Sequence, residues 1–154
     1  MKNCFVRGLA GAIGIGMIGM VGLTHADFAK PEDAIRYRQS AMVLIGYHFG
    51  NIAAVVKGEK KVDPQEVTRH AETVASVAKL PWEAFAVPGS AKNSSMKEEA
   101  LQQKEAFTSA AREMEKATEQ LARAAAGGNM NEIRSGFGAA GQSCKACHDR
   151  FRAR

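Results

Sequence analysis

The feature that most constrains this 154-residue chain lies near its C-terminus, where Cys144-Lys145-Ala146-Cys147-His148 reads C-x-x-C-H. That spacing is the attachment signature of a c-type haem: each thiol adds to a vinyl group and the imidazole becomes an iron ligand. On a helix, Cys144, Cys147 and His148 stand at i, i+3 and i+4, so all three leave one face and can meet one flat macrocycle. The rival chemistries fit less well. A structural zinc site needs four ligands, and the only other cysteine, Cys4, sits in a segment expected to be removed. A thioredoxin-like pair belongs beside a strand in a βαβ pattern, whereas the surroundings here are helical. A Cys144–Cys147 disulfide would leave His148 without a role.

The other end of the chain points to export. Lys2 and Arg7 precede an apolar, Gly-rich run from Gly8 to Leu23, and Thr24-His25-Ala26 forms a small-x-small cleavage site. The run falls short of the ~20 apolar residues a membrane span wants. Residues 1–26 are therefore expected to be a cleaved signal peptide, and residues 27–154 a periplasmic domain with no membrane anchor. The leader contains two basic residues and no acidic one, so its loss takes the net charge from +5 to +3. Two haem carboxylates would bring this nearer neutrality, and no basic stripe interleaved with aromatics appears, which argues against a nucleic-acid partner.

Four helical patterns cover the mature chain, and no strand-like alternation is sustained. Pro31 with Glu32 and Asp33 opens the first helix, which runs to about Lys57 before Gly58. Its seam is Ile35, Met42, Ile45, Phe49, Ile52 and Val56, with Arg38 on the same stripe. Asp63-Pro64-Gln65-Glu66 starts the second helix by capping box and first-position proline, and Pro81 stops it. Trp82 and Phe85 follow, read first as a plug at the bundle end and second as contacts to a haem edge. Ser95-Met96-Lys97-Glu98 is a further capping box, expected to open one continuous third helix to Ala126 before Gly127-Gly128. Asn129 opens the fourth, whose seam of Met130, Ile133, Phe137, Ala140, Cys144, Cys147 and Phe151 includes both motif cysteines. Gly136, Gly138 and Gly141 weaken that helix locally, which suits either a flat group or another helix lying close to its backbone.

Four antiparallel helices, an export signal and C-x-x-C-H near the C-terminus together resemble the class II cytochromes c, the cytochrome c′ family, over the whole mature chain. The likeness is carried by residues 30–39 (Lys-Pro-Glu-Asp-Ala-Ile-Arg-Tyr-Arg-Gln), His48-Phe49-Gly50, Val56-Lys57-Gly58, Leu80-Pro81-Trp82, and Cys144 to Arg152. It implies an all-α antiparallel four-helix bundle with one covalently bound haem c per chain. By resemblance, Cys144 and Cys147 form the thioethers, His148 is the axial iron ligand, and Arg38 and Gln39 hydrogen-bond the haem propionates. Arg152 resembles a basic residue on the proximal side. Met42 falls at the distal position facing the iron, as a sixth ligand or as packing. The chain departs from the family in a shorter connection between helices two and three, in lacking a second tryptophan there, and in Phe151 where tyrosine is frequent.

Electron transfer to redox partner proteins is the first functional expectation, with Lys145, Arg150, Arg152 and Arg154 as a candidate docking face. The alternative is a five-coordinate haem protein that binds nitric oxide or other small gases. An enzyme such as a peroxidase comes third, because the distal seam shows no positioned acid or base. The family also implies a possible homodimer through the first two helices. His48 and His70 are expected to be ordinary surface or half-buried residues.

Overall fold

The computed structural model describes residues 28–153; the segment expected to be a signal peptide, with its expected cleavage site, lies outside them. Five α-helices are present among these residues: α1 (Pro31–Val56), α2 (Pro64–Val77), α3 (Glu99–Gln102), α4 (Lys104–Gly127) and α5 (Met130–Phe151). A 3-10 turn, Glu83–Phe85, interrupts the connection after α2. The four long helices form the antiparallel bundle: α2 packs on α1 and α4, and α5 packs on α4 and more lightly on α1.

The helix ends follow local chemistry. Pro31 needs no amide donor at the start of α1. Asp63 accepts from the amides of Gln65 and Glu66, and Asn129 from those of Asn131 and Glu132, so α2 and α5 start on satisfied caps. Gly128, at φ 71°, ends α4 in the left-handed region that a side chain would disfavour.

The expected third helix is two helices, because a tertiary contact overrides the capping box. Residues 95–97 run extended along the end of α5: the Ala153 amide donates to Ser95 O at 2.8 Å and the Lys97 amide to Phe151 O at 2.9 Å. Lys97 Nζ also reaches the carbonyls of Asp149 and Arg150, both at 3.2 Å, covering acceptors that a helix C-terminus leaves open. Ser95 therefore cannot cap a helix. The chain turns helical only at Glu99 and breaks again at Gln103, whose φ of −103° and ψ of 53° lie outside the helical region.

The bundle is solid at one end only. There Ile52, Val67, Ala71, Leu121, Ala125 and Ile133 form a closed core, with Leu121 and Ile52 fully buried. Each of those two side chains contributes about 2–3 kcal/mol of burial. Gly136 belongs to this end, since a Cβ there would stand 3.1 Å from the Leu121 Cα. That glycine serves helix packing. Gly141, whose Cβ would meet the Phe49 ring at 3.8 Å, faces the other end. Toward the start of α1 the core thins to Ile45, Val74, Ala78 and Met114, and a cavity opens.

Candidate functional site

The cavity has a volume of about 740 Å³. Its walls come from the middle of α1, the first half of α4, the last three turns of α5 and the two loops that close this end of the bundle. Cys144, Cys147 and His148 all line it, as their i, i+3, i+4 spacing requires. The α1 wall presents Met42, Ile45 and Phe49, with Arg38 and Gln39 further toward the helix start. Phe49 is held in place by stacking on Phe137 of α5 at 4.3 Å between centroids.

Both cysteines are free and half-buried. Burial raises the Cys144 pKa above the ordinary thiol value, against a partly offsetting hydrogen bond from Ser143. Burial raises Cys147 likewise, with Cys144 adding to the effect. The resting side chains are thus neutral thiols. For His148 burial comes first and the Arg152 guanidinium second in lowering its pKa, with Asp149 opposing. A ring kept neutral near pH 7 has a lone pair to offer a metal. Arg152 thereby acts on His148 electrostatically while also ending α5.

Arg38 is 4% exposed. Its guanidinium donates to Ala84 O at 3.1 Å, to Ser90 O, and to Ser94 Oγ at 2.9 Å, and it lies 4.9 Å over the Phe85 ring. An arginine on the core stripe of α1 is therefore explained first by the loop it ties down. Gln39 is exposed at the cavity edge. Trp82 and Phe85 do more than plug the end: with Phe107 and Phe151 they form a chain of ring contacts at 5.0–6.0 Å, and all four line the cavity. The Trp82 Nε1–H is buried with no acceptor.

The cationic end of α5 is partly committed. Lys145 pairs with Asp149, and Arg150 donates to Gln103 Oε1 at 3.2 Å and stacks over Phe151. Arg154 lies outside the described residues. Sequence reasoning missed the two histidines away from the cavity, which touch: His48 Nδ1 lies 2.7 Å from His70 Nδ1, and His70 is only 5% exposed. The available signal was the acidic Glu66 one turn before His70 on α2.

A four-helix bundle whose open end gathers two thiols and a neutral imidazole on one cavity wall defines a c-type haem protein. Residues 33–152 match the family model described as cytochrome C', and the chain belongs to that family. It is 37% identical over 126 residues to the cytochrome c' of Alcaligenes xylosoxydans xylosoxydans, covering 82% of this chain and 98% of that one. It is 36% identical over 128 residues to that of Rubrivivax gelatinosus, again covering 82% and 98%. Among solved structures, cytochrome c prime from Shewanella frigidimarina superposes with a TM-score of 0.80 at 36% identity, covering 83% of this chain and 100% of that one. The nitric oxide complex of a mutant cytochrome c prime from Alcaligenes xylosoxidans gives 0.78 at 37% identity, covering 83% and 99%. A carbon-monoxide-bound variant of the same protein also gives 0.78 at 37%, covering 83% and 100%.

The family's cofactor is covalently bound haem c, and the residues present fit it. The cavity is largely apolar, as a macrocycle face requires, and the donor set is two thiols and one imidazole. The unpartnered indole N–H of Trp82 is a donor at the wall of a site whose occupant carries carboxylates.

Proposed function

We propose that this chain is an exported haem protein that holds a small uncharged gas, nitric oxide or carbon monoxide, in the chamber beside α1. The observation that carries this reading is the chemistry of that wall. Met42, Ile45 and Phe49 are apolar, and the one strong donor on the same helix stripe, Arg38, is tied to the closing loop through Ala84 O, Ser90 O and Ser94 Oγ. A chamber so lined admits a diatomic ligand and gives no proton to it, which suits binding and not acid–base turnover. The nitric oxide and carbon monoxide complexes of relatives at 37% identity support the same conclusion.

In this reading Cys144 and Cys147 would hold the haem as thioethers, each S–H adding across a vinyl group so that sulfur and hydrogen end on adjacent carbons and nothing is oxidised. His148 would hold the iron through a ring nitrogen, and partial desolvation together with Arg152 favours keeping that nitrogen free of a proton. The bound haem supplies an iron that changes between ferrous and ferric and coordinates the gas. Arg38 fixes the loop from Ala84 to Ser94, while its remaining N–H groups and the Gln39 amide are left to reach the propionates. Export by residues 1–26 places maturation in the periplasm.

Electron transfer is the second reading, and Met42 favours it. Its thioether lines the same cavity as His148, where a His/Met pair would raise the reduction potential. The ferric absorption spectrum with Met42→Leu separates the two. A high-spin spectrum unchanged by the substitution, with nitric oxide binding retained, is expected for the gas reading. A low-spin spectrum with the weak charge-transfer band of sulfur ligation, lost in Met42→Leu, would overturn it in favour of the carrier.

A second copy of this chain is the proposed partner for the outer face of α1, where Leu44 and Tyr47 are 48% and 64% exposed. These residues occupy one stretch of the helix that the bundle leaves uncovered.

A further inference from the structure

The His48–His70 contact lies where α1 crosses α2, away from the haem cavity. Two Nδ1 atoms 2.7 Å apart form a hydrogen bond only if one carries the proton and the other offers its lone pair. The separation is also too short for two nitrogens bound to one tetrahedral metal at about 2.0–2.1 Å each, which stand roughly 3.3 Å apart. A proton fits between these rings; a metal ion does not.

The surroundings fix where protons go. Glu66 Oε1 stands 3.4 Å from His70 Nε2 and is itself held by Lys60 at 2.7 Å, with Arg69 3.9 Å away on the same carboxylate. The Tyr47 ring lies edge-on to both imidazoles, at 5.2 and 6.4 Å. Lys60, Glu66, Arg69 and Tyr47 are thus the charged and titratable groups that face the pair. Glu66 favours an N–H at His70 Nε2, and one Nδ1 proton shared between the rings keeps the Nδ1–H···Nδ1 bond intact. A second has to enter at His48 Nδ1, the acceptor of that bond. Two N–H groups would then point at each other, and the contact must open.

We propose that His48 and His70 form a one-proton clamp between α1 and α2, closed while a single Nδ1 proton is shared and released when His48 takes its own. The clamp makes the α1 wall of the haem chamber responsive to pH, because Phe49, adjacent to His48, lines that chamber and stacks on α5. This consequence rests on the haem reading above; the clamp itself does not. Burial first, then the charges on His70 and Arg69, lower the affinity of His48 for its proton.

The test is a pH titration of the chelator-treated mature holoprotein, read by nitrogen-15 NMR of the imidazoles and, in parallel, by the haem absorption spectrum. The pair is expected to take up protons in two coupled steps, as strongly interacting sites do, with the His48 midpoint below the ordinary imidazole value. A spectral step should accompany the lower midpoint. In His70→Gln the His48 midpoint should rise toward 6.5, the ordinary imidazole value, and the spectral step should move with it. Independent titration of both rings near that value would overturn the clamp, and the wild-type protein alone decides this if a variant does not fold. Coupling that vanishes on chelation and returns with added zinc would overturn it in favour of a metal. A spectral step at the same pH in His48→Gln would refute the link to the chamber. Absence of a covalent haem spectrum would strike the haem reading while leaving the ring titrations interpretable.

Discussion

Arg38 shows how much one side chain does at this site. It is buried on the core stripe of α1, yet its partners are Ala84 O, Ser90 O and Ser94 Oγ, more than 40 residues away in sequence. Arg38→Met would preserve the stem and strand those acceptors, costing about 3 kcal/mol as read by urea unfolding. Arg38→Lys should rescue little, because one ammonium cannot span three acceptors as the planar fork does. The sequence marks the residue as anomalous, a charge on an apolar stripe, and the family resemblance offers the propionates as its reason. The loop partners were not legible, because no local pattern pairs position 38 with position 90. That Cys144, Cys147 and His148 share one cavity wall was legible for the opposite reason: their placement is encoded in the spacing of five consecutive residues.

At the scale of the helices, the starts and stops that depend on nearest neighbours were readable: Pro31, Asp63, Asn129 and Gly128 act where they stand. The third helix was misread because Ser95 is taken by the end of α5, a contact set by the bundle and not by its neighbours. The glycines of α5 divide by what lies opposite. Gly136→Ala should destabilise by about 1–2 kcal/mol despite the better helix propensity, since the Leu121 backbone cannot retreat. Gly138→Ala meets nothing within 4 Å and should stabilise by up to about 1 kcal/mol. Thermal melts of the two variants should therefore shift in opposite directions. The α1–α2 crossing supplies the pH dependence. The folded His48 binds its proton less readily than the unfolded chain, whose value is 6.5. As the pH falls below that value the unfolded state gains protons first, so stability declines until the folded His48 also titrates. Urea midpoints should fall through that window in the wild type and flatten in His48→Gln.

For the whole molecule, the division of the bundle into a solid end and a hollow end is the property that links fold to function. Helical periodicity showed which residues face inward, but it could not show that the inward faces of α1, α4 and α5 stand apart at one end, because seam residues look alike whether they touch each other or line a chamber. The uncovered face of α1 makes an assembly prediction: Leu44→Glu, at a position outside the cavity lining, should lower the sedimenting mass from dimer to monomer while leaving the haem spectrum intact. The central claim, that the hollow end is filled by a haem bonded to both Cys144 and Cys147, is tested most directly by intact-mass measurement of the protein exported from a host that matures c-type haem, before and after acid–acetone extraction. Expected is the chain from Asp27 to Arg154 plus one haem, unchanged by extraction. A mass equal to the bare chain, or a haem that leaves in the solvent, would contradict it.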